Sequence, residues 1–306
     1  MLTAQSNQLL LVHQSQRYAV FLLHFCLFFL AALYSIYISR QPDSVASVWY
    51  ANAIAIMILQ VLAYRDWIIV LILATAANLS ANLILGDPVM MSLSFVPNNL
   101  LEIILSGYLL RRFIPLNQCI KDPILLLKAF GMTLLPTAIS AALGAFVLVN
   151  YGLVTFNEGW MFLAIGSLIG SISIFPIAML LFARNVDGLI KSNQAFGFLI
   201  CILFSLAIAL LSFAYLPFPH IYISASLMVV ALVGGFTATA ISVLAYSVII
   251  STFTAIGFFH QSTQMIQDGN DIYMYIPLII TLLQPLLFAT ACERNTDKNK
   301  HNLPLI

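Results

Sequence analysis

Charged residues are scarce in this chain of 306 residues. Asp, Glu, Lys and Arg make up only 8% of it, against roughly 25% in an average soluble domain. Apolar residues make up 62%, and the mean hydropathy is +1.01. A soluble domain cannot cover so much apolar surface with polar groups. The composition therefore excludes a soluble or a disordered protein and predicts a polytopic membrane protein.

Net charge and cysteine are also low. The formal net charge is +1, and no basic cluster stands apart from the membrane flanks, so no nucleic-acid partner is indicated. The chain has four cysteines, and no pair of them has the spacing of metal ligands. We therefore expect neither a disulfide nor a metal site. The sequence also lacks a phosphate-binding loop and the His-Glu-x-x-His and Cys-x-x-Cys patterns, so no cofactor is expected.

Long apolar runs are what the chain has instead. A helix needs about 20 apolar residues to cross the hydrocarbon core. Nine runs approach that length, and a shorter run, 220–233, precedes Gly234 and Gly235. A re-entrant or interfacial segment is the alternative for this short run. The sequence predicts an all-α bundle of about ten transmembrane helices, at 19–38, 46–63, 67–85, 89–111, 124–149, 160–183, 196–216, 220–233, 236–258 and 272–293.

The basic residues predict the orientation of these spans. With ten spans and a cytoplasmic N-terminus, every Lys and Arg except Arg40 falls on the cytoplasmic side, as the positive-inside rule requires. Without the 220–233 span, Arg294, Lys298 and Lys300 would lie outside. We therefore predict that both termini are cytoplasmic. The expected parts are a cytoplasmic N-terminal segment (1–18), one membrane-embedded domain (19–293) and a short cytoplasmic tail (294–306).

Glu102 is the only acidic residue well inside a predicted span. Asn98 precedes it by four residues and so shares its helix face. The predicted orientation places several other Asn residues in the outer half of the membrane and Glu102 near its centre. Because polar groups are costly in hydrocarbon, we predict a ligand pocket open toward the periplasm. Its residues are Trp49, Asn52, Asn78, Asn82, Asn98, Asn99 and Glu102. For any single Asn, a hydrogen bond to a neighbouring helix is the alternative.

Small residues and prolines in the predicted spans indicate where helices pack closely and where a signal is transmitted. Gly166 and Gly170 form a Gly-x-x-x-Gly pattern ahead of Pro176, which favours close helix packing. Pro277 and Pro285 lie in the last span, whose exit is cytoplasmic, so we expect them to transmit a signal through a kinked helix. A static kink is the alternative. No serine has a basic partner in view, so no catalytic residue is predicted.

The order of several short motifs resembles a known family. Over roughly residues 20–293, the chain is similar to the bacterial membrane-associated sensor domain family of the first type. The motifs are Trp49-Tyr50-Ala51-Asn52, Arg65-Asp66-Trp67, Ala77-Asn78-Leu79, Asn99-Leu100-Leu101-Glu102 and Leu109-Leu110-Arg111-Arg112, followed by Trp160, Gly170 and Pro176. The chain departs from the family pattern at Tyr50, Ala53 and Ser167, where a Pro, a Gly and an acidic residue are usual.

The resemblance implies a non-catalytic sensory input domain in the bacterial inner membrane. Such domains usually precede a cytoplasmic diguanylate cyclase or histidine kinase. We therefore expect an output domain in a continuation of the chain or in a partner protein, and an unknown small ligand as the stimulus. A homodimer is expected by analogy with outputs that work as pairs. The alternative function is a small-solute or proton-coupled transporter that uses Glu102 as its coupling carboxyl.

Overall fold

The computed structural model describes residues 16–39, 48–182, 192–255 and 275–302. Within these ranges every regular element is a helix, which confirms the predicted all-α class. Some parts of the sequence predictions lie outside the described residues, among them Arg40, residues 1–15 of the N-terminal segment and residues 303–306 of the tail. The helices are α1 (Arg17–Ser39), α2 (Ala51–Val61), α3 (Trp67–Ile84), α4 (Val89–Ser94), α5 (Val96–Phe113), α6 (Leu116–Cys119), α7 (Pro123–Asn150), α8 (Phe156–Phe182), α9 (Ser192–Tyr215), α10 (Pro219–Ala255) and α11 (Tyr275–Asn302), with a 3-10 turn at Tyr64–Asp66.

Seven helical stretches in the described part of the chain are long and apolar enough to cross a membrane. Two further apolar helices are shorter, Ala51–Val61 and Leu199–Tyr215. The chain is therefore a multi-pass membrane protein. The side of the membrane that each end faces stays a prediction. The seven stretches are Arg17–Ile38, Tyr64–Ile84, Val89–Phe113, Pro123–Asn150, Phe156–Leu181, Pro219–Phe253 and Ile276–Asn295.

Of the second predicted span, 46–63, the structure describes residues 48–63, and these are helical only over the 11 residues of α2. Such a helix rises about 16 Å, roughly half of the hydrocarbon core. Residues 48–50 before it are not helical, and the Trp49 amide donates to the Gly166 carbonyl at 3.0 Å. At the other end, Arg111 donates to the Leu59 carbonyl at 3.0 Å and to the Leu62 carbonyl. Neighbouring helices thus satisfy the backbone at both ends of this half-length helix.

The fourth predicted span, 89–111, consists of α4 and α5, which meet at Phe95. Pro97 lies in the first turn of α5, where its missing N–H removes no helix hydrogen bond. Of the two prolines predicted to transmit a signal, Pro285 lies inside α11, whereas Pro277 lies in the first turn of α11 as described. Pro285 therefore removes an internal hydrogen bond of α11, and the transmission role of both prolines stays a prediction.

Gly235 divides α10 into a first arm (219–234) and a second arm (236–255). Its φ of 65° and ψ of −164° lie in a region that is essentially limited to glycine. The arms fold back on each other, since Tyr246 Oη and His220 Nδ1 are 3.5 Å apart. A straight helix would separate residues that far apart in sequence by about 39 Å. The runs predicted at 220–233 and 236–258 are therefore two helical segments joined by one tight turn.

The chain divides into two compact units, which are described separately. The first comprises residues 1–115 and 130–175, and the second comprises residues 116–129 and 176–306. In the first unit α1 and α3 run parallel. Arg17 pairs with Asp66 at one end, and His24 Nε2 is 3.1 Å from the Val70 carbonyl further along. This relative direction agrees with the alternation of the predicted first and third spans.

In the second unit the first arm of α10 runs parallel to α11. The Thr281 hydroxyl donates to the His220 carbonyl at 3.4 Å, and the Phe236 amide donates to Glu293 at 2.9 Å. These two helices correspond to the predicted spans 220–233 and 272–293. Because successive spans alternate in direction, these two spans are expected to run in the same direction, as the two helices do. The second arm of α10 must then run antiparallel to both, because of the turn at Gly235.

Candidate functional site

Glu102 is the centre of a buried polar cluster in the first unit. Only 2% of its surface is exposed. Its Oε2 accepts a hydrogen bond from Asn52 Nδ2 at 2.6 Å and one from the Ser167 hydroxyl at 3.2 Å. Its Oε1 accepts one from the Thr137 hydroxyl at 2.9 Å. The donors belong to α2, α8 and α7, so the carboxyl of one α5 residue connects four helices.

The unusual start of α2 puts Asn52 within reach of this carboxyl. The non-helical lead-in to α2 lies against α8, where the Trp49 amide donates to Gly166. Gly170 has no side chain, and a Cβ there would overlap the Trp49 carbonyl oxygen. The close approach therefore depends on glycine at this position. Ser167 follows Gly166 directly, so the same contact brings Ser167 and Asn52 to the same carboxylate oxygen.

Asn98 and Asn99 extend the cluster along α5. Asn52 Nδ2 is also 3.2 Å from Asn99 Oδ1, to which it donates. The Ser140 hydroxyl of α7 donates to the Asn98 carbonyl at 2.8 Å. Asn98 is itself buried, with 5% exposure. Polar contacts thus run from α2 across α5 to α7.

Asn78 and Asn82 lie on α3 and bond to each other. Asn82 Nδ2 donates to the Asn78 carbonyl at 2.8 Å and to Asn78 Oδ1 at 3.1 Å. Asn78 also lines a small cleft with Asn99, and this cleft has room for about one water molecule. The cleft's other lining residues are Phe28, Ala74, Thr75, Val96, Leu100 and Ile103. Asn78 therefore borders the cleft beside the cluster, and Asn82 supports Asn78.

Three polar atoms of the predicted pocket are buried without a hydrogen-bond partner in the described structure. They are Trp49 Nε1, Asn52 Oδ1 and Asn98 Oδ1. A buried, unsatisfied donor or acceptor costs about 1–3 kcal/mol, so such atoms usually bind water or a ligand. The predicted pocket therefore contains one donor and two acceptors without a partner, in addition to the Glu102 carboxyl.

The charges around the site are sparse. Glu102 takes part in neither of the ion pairs Arg17–Asp66 and Arg294–Asp122. The described part of the chain also contains no group of three or more His, Cys, Asp or Glu side chains that could hold a metal ion. Glu102 is bound by uncharged amide and hydroxyl donors, an arrangement that suits recognition through hydrogen bonds.

The structure brings together most of the residues that the sequence singled out. Asn52, Asn99 and Glu102 form direct hydrogen bonds, and Trp49 lies in the non-helical lead-in just before the helix of Asn52. Asn98 shares the α5 face, whereas Asn78 and Asn82 form a separate pair on α3. The assignment of these residues to ligand binding stays a prediction.

The site residues predicted from the sequence did not include Thr137, Ser140 and Ser167. Thr133, Thr137 and Ser140 are buried at spacings of four and three along α7, which is the pattern of one helix face. That spacing was the available signal for a polar face on α7. Ser167 had no comparable signal, because it stands in a run of small residues that also serves packing.

The comparisons with known proteins add one finding. The MASE1 family model matches residues 19–292, which is most of the chain and includes every residue of the site. Searches of curated proteins and of solved structures gave no match.

Proposed function

The chain belongs to the MASE1 family of membrane-associated sensor domains, and from this premise we propose that its stimulus acts on the cluster around Glu102. MASE1 is a sensory input domain and is not itself catalytic. We place this domain in the bacterial inner membrane. Its signal passes to a cytoplasmic output, either cyclic-di-GMP synthesis or a histidine-kinase phosphorelay. That output lies in a continuation of the chain or in a partner protein.

The observation that carries the proposal is that Glu102 connects four helices through uncharged donors. A small ligand that bonds to this carboxyl, or to the unpartnered atoms of Trp49 and Asn98, competes with these contacts. The cleft beside the cluster holds only about one water molecule. A larger ligand therefore requires the helices to separate. The helices then have two packings, one close and one separated. Ligand binding favours the separated packing to the extent that the ligand binds this packing more tightly than the close one.

We further propose that α11 carries the change toward the cytoplasm. Pro285 interrupts the hydrogen bonds of this helix, which weakens its resistance to bending. Pro277, at the start of the described helix, adds a fixed backbone angle there.

The experiment joins the chain to a diguanylate cyclase and measures cyclic-di-GMP in cells. We expect Glu102→Gln to change the basal level by about tenfold, because losing a charge-assisted hydrogen bond is worth about 1.4 kcal/mol or more. Glu158→Gln is the matched control, since Glu158 is an exposed carboxyl that bonds only to Thr155. If Glu102→Gln and Asn78→Ala both leave the level and its response to growth conditions unchanged, the proposed site is wrong.

A small-solute or proton-coupled transporter is the second candidate. The observation that favours it is the half-length helix α2, whose non-helical lead-in ends beside a buried carboxyl. Discontinuous helices of this kind form substrate sites in many transporters. The test is proton flux in liposomes that contain the purified chain and a pH-sensitive dye. Flux that Glu102→Gln abolishes would favour the transporter, and flux no greater than in empty liposomes would favour the sensor.

A further inference from the structure

Helix α11 carries a carboxylate that caps a different helix. Glu293 Oε1 accepts a hydrogen bond from the Phe236 backbone amide at 2.9 Å. Phe236 is the first residue of the second arm of α10, and the first amides of a helix have no acceptor within it. A carboxylate at this position also interacts favourably with the helix dipole. Glu293 therefore stabilises the start of a helix 57 residues away in sequence.

The turn that receives Glu293 depends on glycine. Gly235 has a positive φ of 65°, which side-chain-bearing residues rarely adopt. A Cβ at Gly235 would also lie 3.3 Å from Glu293 Oε1. The small residue thus lets the carboxylate approach the backbone of the turn closely.

The next residue of α11, Arg294, forms an ion pair near the start of α7. Arg294 Nη1 is 3.9 Å from Asp122 Oδ1, just before α7. Asp122 in turn accepts a hydrogen bond from the Ile124 amide at 2.9 Å and so caps α7. Adjacent residues on a helix point about 100° apart. Glu293 therefore forms a hydrogen bond, and Arg294 a long ion pair, with two different elements of the second unit from one turn of α11.

We propose that Glu293 and Arg294 form a clasp, a pair of contacts that fixes α11 in one position against the Gly235 turn and Asp122. Release of the clasp changes the output. A rotation of α11, or a shift by one helical turn, removes both contacts together. The regulatory part of the proposal rests on the proposed function, in which α11 carries the signal. The clasp itself can be tested without any output.

The first test is hydrogen exchange of the full chain in lipid nanodiscs. We expect Glu293→Gln to speed amide exchange at residues 236–238 several-fold, because the capping hydrogen bond loses its charge assistance. Glu158→Gln is the matched control: the Glu158 carboxylate also caps a helix start, but through Thr155 next to its own helix. Unchanged exchange in Glu293→Gln would overturn the clasp. Glu293→Asp serves the same purpose if Glu293→Gln is not recovered from the membrane.

The second test examines Arg294 and the output. We expect Asp122→Arg to speed exchange in the last turns of α11, and the double variant Asp122→Arg with Arg294→Asp to restore it. Equal exchange in the single and double variants would overturn the role of Arg294 in the clasp.

In the cyclase fusion, we expect Glu293→Gln to shift basal cyclic-di-GMP. Faster exchange with an unchanged basal level would overturn regulation by the clasp, and this result is independent of the response to substitutions at Glu102.

Discussion

Gly170→Ala tests the contact that positions the candidate site. An added Cβ would overlap the Trp49 carbonyl oxygen and lie 3.2 Å from the Tyr50 Cα, so only backbone movement can relieve the clash. Overpacking of a filled interior costs about 1–3 kcal/mol. Movement of the lead-in also breaks the hydrogen bond from Trp49 to Gly166, which is worth about 1 kcal/mol. We therefore expect the free energy of unfolding to fall by about 2–4 kcal/mol.

Gly131→Ala is the matched control for this substitution. Gly131 lies in α7, and nothing lies within 4 Å of the position of its added Cβ. Because alanine favours the helix over glycine, this variant should keep or slightly gain stability, by up to about 1 kcal/mol. The assay is unfolding of the purified chain in mixed micelles with increasing SDS, followed by tryptophan fluorescence, to which Trp49 contributes. Equal unfolding midpoints for the two variants would show that the close approach at Gly170 is wrong.

Two further predictions concern single side chains. Glu102→Ala should lower the free energy of unfolding by about 2–5 kcal/mol, because several buried donors lose their acceptor. Glu102→Gln should cost less, since the Thr137 hydroxyl can turn to accept from the amide; equal losses in the SDS assay would contradict this. Burial, and to a lesser degree the charge of Asp122, raises the pKa of the Cys119 thiol to about 12. At pH 8 this thiol stays protonated and should react slowly with iodoacetamide, whereas a cysteine in the exposed position of Gln118→Cys should react at the ordinary rate. Similar rates would refute the burial of Cys119.

The centre of the site could be predicted from the sequence, because a lone carboxyl in an apolar span is rare and costly. Its partners on α5 and α2 followed from helix spacing and from the order of the spans. Thr137 and Ser167 could not be predicted in the same way. They lie 35 and 65 residues from Glu102 in sequence, and hydroxyl side chains are common at helix contacts in membranes. Which distant hydroxyl meets the carboxyl is decided by packing.

The length of α2 was also beyond prediction from composition. The run 46–63 is predominantly apolar, and an extended apolar segment has the same hydropathy as a helical one. Residues 48–50 leave the helix because the Gly166 carbonyl accepts the Trp49 amide, a contact between distant parts of the chain. The division of α10 was easier to predict, because Gly234 and Gly235 follow one another directly and only glycine readily adopts the angles of the turn.

The absence of a basic partner for Glu102 among the described residues bears on how a sensor could use this site. An Arg or Lys at the carboxyl would hold it in one strong, buried pair, and breaking such a pair costs about 3–5 kcal/mol. The Ser167 and Thr137 hydroxyls can instead donate or accept, and Asn52 contacts both Glu102 and Asn99. The cluster can therefore exchange hydrogen-bond partners without breaking an ion pair. Two packings of the four helices can then lie close in energy, which is the condition under which a weakly bound stimulus changes their populations.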